Sequence, residues 1–187
     1  TLYPGMIGMS ENVFINLKNH SHAITAEVEI PKSGANGVLL AQAGRFGGWS
    51  LYVKDGKPTY TYNWLGLQRY TVTAAQPLAP GKATIRFEFA YDGGGMGKGG
   101  KGTLSVNGKP VATGRIERTQ CCFFSADEGT DVGADEGTPV TEAYKPPFKF
   151  TGKITKATVE LTDVKAAEHE GAEEAHRMAR LKKALAD

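Results

Sequence analysis

The stretch Arg45-Phe46-Gly47-Gly48-Trp49-Ser50-Leu51-Tyr52-Val53-Lys54-Asp55-Gly56-Lys57 decides the fold. Trp49, Leu51 and Val53 alternate with Ser50, Tyr52 and Lys54, which is the period of a half-buried strand. Asp55-Gly56 then supplies a tight turn, because glycine accepts the positive φ that such turns demand. On the returning run, Tyr60, Tyr62 and Trp64 share one face, and Thr59, Thr61 and Asn63 share the other. Two aromatic-rich strands joined in this way predict a hairpin at the centre of a sheet.

Working outward, the same alternation recurs. Residues 23–30 put Ile24, Ala26, Val28 and Ile30 on one face, and Pro31 ends the run. Residues 37–44 are apolar almost throughout, as befits a central strand. Residues 68–73 and 84–91 follow, the latter with Ile85, Phe87, Phe89 and Tyr91 inward and Arg86 and Glu88 outward. Asn107-Gly108 marks a second hairpin. Residues 115–124 read as a further strand, residues 125–147 as a long acidic loop, and residues 148–161 as a last strand. Many short strands with turn signals between them predict an all-β, two-sheet antiparallel sandwich over residues 1–162. From residue 163 the character changes. Glu168, Glu170, Glu173 and Glu174 precede Arg177, Arg180, Lys182 and Lys183, an order that complements a helix dipole. One C-terminal α-helix is expected over residues 163–187, docked on the sandwich or on a partner, with a homo-oligomer through it as one outcome.

Composition narrows the function classes. A chain of 187 residues is ordinarily one domain, and its 24 glycines suit a fold with many turns. The net charge of +2 gives no field that would favour nucleic acid or a membrane surface. No apolar run approaches the ~20 residues of a transmembrane helix. The chain opens on Thr1 and shows no secretory leader, so its compartment is not read from a targeting segment. Cys121 and Cys122 are adjacent and are expected to be a reduced structural pair, which favours the cytoplasm over the periplasm.

Several constellations invite chemistry. Gly95-Met96-Gly97-Lys98-Gly99-Gly100 fits G-x-G-x-x-G, but a strand follows it rather than a helix, so it reads as a flap, not a nucleotide loop. Its Lys98 and neighbouring Lys101 are placed to meet a sulfate or an acidic neighbour. Glu27 and Glu29 share a strand face and read as a solvated surface. Asp127, Asp131 and Asp135 lie on a glycine-bearing acidic loop, which makes them calcium candidates without an EF-hand spacing. Tyr52, Tyr62 and Tyr70 are candidates for a sugar-stacking platform. Trp64, Leu65 and Leu67 form an apolar turn that would be oddly exposed on a free-standing domain, which marks an interface.

Longer segments carry a resemblance. Gly44 to Gly56, Tyr62-Asn63-Trp64-Leu65-Gly66-Leu67 and Arg86-Phe87-Glu88-Phe89-Ala90-Tyr91-Asp92-Gly93-Gly94-Gly95 are similar to segments of bacterial arylsulfatases. Gly114-Arg115-Ile116-Glu117-Arg118-Thr119-Gln120 and Asp131-Val132-Gly133-Ala134-Asp135-Glu136-Gly137-Thr138-Pro139-Val140 extend the match in the same order. The matched part resembles the C-terminal, non-catalytic region of these formylglycine-dependent enzymes and implies a concanavalin A-like jelly roll. The catalytic motif of the family, C-x-P-S-R or S-x-P-S-R, is missing: Cys121 is followed by Cys122-Phe123-Phe124. No catalytic residue is carried over and no cofactor is expected. The resemblance implies an accessory domain that stabilises a sulfatase catalytic domain and shapes its substrate pocket during sulfate ester hydrolysis. The alternative is an independent carbohydrate-binding or protein-interaction jelly-roll module.

Overall fold

A computed structural model describes residues 1–163. The expected helix, from residue 164 onward, lies outside the described residues, and so does any oligomer built on it. Ten strands form two five-stranded antiparallel sheets. Five of them are β1 (His22–Ile30), β2 (Gly37–Gly44), β3 (Gly47–Lys54), β4 (Lys57–Trp64) and β5 (Gln68–Thr73). The others are β6 (Gly81–Tyr91), β7 (Gly100–Val106), β8 (Lys109–Ile116), β9 (Thr130–Val132) and β10 (Lys153–Leu161). One sheet has the order β10-β1-β6-β7-β8, the other β5-β4-β3-β2-β9. The chain lays down a meander in the second sheet, then one in the first, and sends β9 and β10 back to the edges. The architecture is a jelly-roll sandwich.

The core follows from the alternation. Ile24, Ala26 and Val28 of β1 and Ile85 and Phe87 of β6 face Trp49, Leu51, Val53 and Tyr60 of the second sheet. An aromatic spine joins the layers: Trp49 lies 6.3 Å from Tyr60, and Tyr60 stacks on Phe87 with ring centroids 3.5 Å apart. Trp49 Nε1 donates to Gln42 Oε1 at 2.9 Å, so its one polar atom is satisfied inside. Both hairpin turns carry positive φ at their two central residues, Asp55 (51°) and Gly56 (73°), then Asn107 (50°) and Gly108 (76°). This geometry matches the twist of the strands it joins.

Three expectations are corrected. The run 115–124 is strand only as far as Ile116, where β8 ends. Beyond it the chain leaves the sheet, and Gln120 N donates instead to the Tyr62 hydroxyl at 2.8 Å. The segment 125–147 is not a free acidic loop. It supplies β9 and then covers the outer face of the second sheet, where Tyr144 packs edge-on against Tyr52 and stacks on Phe148. Ser50, Thr59, Thr61 and Asn63 on that face are therefore buried. The last strand begins at Lys153 rather than at residue 148.

Two buried titratable groups, His22 between the sheets and Asp135 under the outer cover of the second sheet, pull stability in opposite directions. Burial lowers the His22 imidazole from its ordinary 6.5 to about 4. Its Nδ1 bonds the His20 carbonyl at 2.9 Å, while Nε2 is buried without a partner among the described residues. The unfolded chain therefore takes up this proton first, and stability is lost as pH falls from 6.5 toward about 4. Asp135 is the reverse case. Burial, opposed by a hydrogen bond from Tyr144 and aided by the nearby Asp131 and Glu128 carboxylates, raises it from 3.8 to about 6. The folded state holds that proton longer, so stability is lost as pH rises from 3.8 toward about 6. Across the shared window the slopes offset each other. Asp135→Asn keeps an acceptor for Tyr144 and removes one slope. Relative to the unsubstituted chain, its stability should drop by about 2–3 kcal/mol more from pH 6 to pH 4. Urea titrations at these two pH values check this, and parallel behaviour of the two chains would contradict it.

Candidate functional site

One end of the sandwich gathers four connections: the β2–β3 turn, the β4–β5 turn, the loop between β6 and β7, and the chain after β8. Asn63, fully buried near the end of β4, fixes the first two. Its Nδ2 donates to the carbonyls of Gly44 (2.7 Å) and Arg45 (3.0 Å), and its Oδ1 accepts from Gly66 N (2.9 Å). Leu65 is held at φ 55°, a conformation uncommon for a side chain of its size, and is thereby pushed outward. Gly47 serves a close approach: a Cβ there would stand 2.2 Å from Gln120 Oε1.

The β6–β7 loop is anchored despite its glycines. The Tyr91 hydroxyl donates to Gly95 O (2.6 Å) and accepts from Lys98 N (2.9 Å). Gly97 N donates to Asn19 Oδ1 (2.8 Å), and Thr119 Oγ1 donates to Lys98 O (2.7 Å). These bonds press the loop against the segment after β8. That segment carries a disulfide between Cys121 and Cys122. The expected reduced pair is thus corrected: the chain folds tightly enough at this bend for neighbouring sulfurs to join, and the argument for a reducing compartment falls with it.

The result is a surface depression of about 560 Å³. Trp64, Leu65, Met96, Phe123 and the disulfide line it. Phe46 and Leu67, each 75 % exposed, stand beside it on the two turns that Asn63 joins, and Met96 is 70 % exposed. The Arg118 guanidinium lies over the Trp64 ring, 5.3 Å from its centroid. At the opposite end, a depression of about 460 Å³ is lined by Pro77, Leu78, Pro80 and Val106 among others.

The structure places the residues singled out in the sequence as follows. Trp64 and Leu65 meet in the depression, and Leu67 is exposed on the same turn. Lys98 is exposed on the anchored loop beside it, whereas Lys101 stands on β7 opposite Arg115, outside the lining. The stacking candidates are corrected. Tyr52 and Tyr62 are buried, one beneath Tyr144 and the other in the core against Phe124, and Tyr70 is half-buried beside Tyr62. Tyr52 and Tyr62 therefore cannot offer ring faces to a sugar. The acidic trio is not assembled either. Asp131 accepts from Gly8 N and Glu136 N, Asp135 accepts from the Tyr144 hydroxyl at 2.5 Å, and Asp127 is exposed. Among the described residues no cluster of three metal-ligating side chains forms. Phe46, Met96, Arg118 and Phe123 were not marked by sequence reasoning. Their one legible signal was a large apolar or cationic side chain inside a turn-rich segment.

No protein-family model matches the chain, and no curated protein does. Solved structures share its fold. Domains LG4-5 of the mouse laminin α1 chain superpose with a TM-score of 0.54 at 19 % identity, over 85 % of this chain and 40 % of that one. The CBM40 domain of the Ruminococcus gnavus IT-sialidase superposes with a TM-score of 0.53 at 15 % identity, over 77 % of this chain and 78 % of that one. The class defined is the two-sheet antiparallel jelly-roll sandwich. At these identities the likeness is one of fold.

Proposed function

We propose that this chain is the accessory jelly-roll domain of an arylsulfatase, and that its loop-bearing end packs on the catalytic domain and borders the substrate pocket. One observation carries the reading: Phe46, Leu65, Leu67, Met96 and Phe123 are all exposed, and all stand on the connections at a single end. Clustered apolar exposure of this kind marks an association surface. The occupant is named by the resemblance of residues 1–162 to the C-terminal region of bacterial arylsulfatases. The anchoring by Asn63 and Tyr91 supports the reading further, since a rigid surface associates without an ordering cost.

The test is association with a separately expressed sulfatase catalytic domain bearing C-x-P-S-R, followed by titration calorimetry. Phe46→Asp or Leu65→Asp should weaken binding by about tenfold or more, because each puts a charge into an apolar contact. Val111→Asp, exposed on β8 away from this end, should leave it unchanged. Undiminished binding by both first variants would remove the interface assignment. Absence of binding by the unsubstituted chain would remove the reading itself.

A further inference from the structure

We propose that the Cys121–Cys122 bond is a modification site at which a small-molecule thiol, of the glutathione kind, exchanges with the protein, and that opening it reshapes the apolar end of the sandwich. The bond is no structural staple. A disulfide stabilises chiefly by closing a loop in the unfolded chain, and two adjacent residues close almost none. The flanks are held without it. Gln120 N donates to the Tyr62 hydroxyl on one side, and Phe124 N and Ser125 N donate to Glu11 Oε2 on the other. The segment therefore keeps its place on the sandwich when the bond opens. What the bond offers is its chemistry.

Access decides which sulfur reacts. Cys122 is exposed, whereas Cys121 is half-buried. The Cys121 carbonyl is held by Asn19 Nδ2 at 2.7 Å, and its Cβ lies 3.8 Å from where a Cβ on Gly97 would stand. Both cysteines line the depression of about 560 Å³ beside Trp64, which admits the incoming thiolate from solvent. That thiolate attacks Cys122 Sγ. The Sγ–Sγ bond breaks, its electron pair leaves with Cys121 Sγ, and a mixed disulfide forms on Cys122. A second thiolate attacks the small molecule's sulfur, which departs as the oxidised dimer, and both protein thiolates take up protons. Two small thiols are oxidised and one protein disulfide is reduced, so the electrons balance. The chain has two cysteines in all, so no other sulfhydryl of its own competes. Phe123 follows Cys122 directly and lines the same depression as Trp64 and Met96. Opening the bond therefore changes the contour of that surface, and the thiol–disulfide balance of the surroundings sets how much of the chain carries each contour.

A test on the chain alone, without a catalytic domain, keeps this site separate from the docking reading. The chain is equilibrated with mixtures of reduced and oxidised glutathione, trapped with iodoacetamide and weighed intact, while the indole N–H resonances are followed by NMR. Excess reduced glutathione should yield a folded chain carrying two alkyl groups. Trp64 lines the depression and Trp49 is buried in the core, so the Trp64 resonance should move while the Trp49 resonance stays still. In Cys121→Ser the remaining thiol should take glutathione from its oxidised dimer at least about tenfold faster than the remaining thiol in Cys122→Ser. A native chain that glutathione leaves oxidised, while its urea-unfolded form reacts, would overturn the proposal. So would a general loss of resonance dispersion on reduction, a Trp64 resonance that does not move, or equal rates for the two single-cysteine variants.

Discussion

Trp49→Ala is expected to destabilise the domain by about 3–5 kcal/mol, a large share of the ~5–15 kcal/mol that holds a domain together. Trp49 is 1 % exposed, and its ring contacts Phe14 and Tyr60. Truncation opens a cavity between the sheets. It also strips Gln42 Oε1 of its donor in a place water does not reach. Trp64 provides the contrast. It is half-buried at the end of β4, with Arg118 rather than core on one face. Trp64→Ala should therefore cost less than half as much. Urea denaturation of the two variants measures the difference, and equal midpoints would refute the separation into a core and a surface tryptophan.

The second large effect concerns Lys18 and Glu11. Both side chains are buried, at 5 % and 8 % exposure, and they form an ion pair. Glu11 Oε2 also accepts from Phe124 N at 2.8 Å and Ser125 N at 3.3 Å, and Lys18 Nζ lies 5.0 Å over the Phe124 ring. Removing one member leaves the other without its counter-charge in a low-dielectric place. Glu11→Ala or Lys18→Met alone should thus cost about 3–5 kcal/mol, whereas the double variant should cost clearly less than the sum. A double-mutant cycle in denaturant reads the coupling directly. Strict additivity would show that the pair contributes nothing as a pair. Because Glu11 holds the segment that carries Phe123 and the disulfide, Glu11→Ala should also loosen the site at the far side of that bond.

What was legible in the sequence is what local chemistry decides. Asp55-Gly56 and Asn107-Gly108 require left-handed backbone, and both hairpins stand where those pairs predict them. The inward set of β6 was equally plain, because period-2 alternation has one reading when the opposite face is charged. The outer face of the second sheet misled for the same reason. Ser50, Thr59, Thr61 and Asn63 look like a solvated face, yet Tyr144 and Phe148 arrive from about a hundred residues away to cover them. The apolar turn at Leu65 was visible because leucine is out of place beside glycine in a turn. Phe46, Met96 and Phe123 stand singly in their segments, and only the folding of four connections to one end brings them together.

Asn63 has a consequence for how that end can move. One amide ties two separate turns into a single unit, so neither can swing without breaking bonds to the other. The end of the sandwich therefore behaves as a plate rather than as a set of fingers. Whatever meets it encounters a preformed shape, and recognition there discriminates by fit: a surface or ligand of the wrong contour finds no loop able to adapt to it.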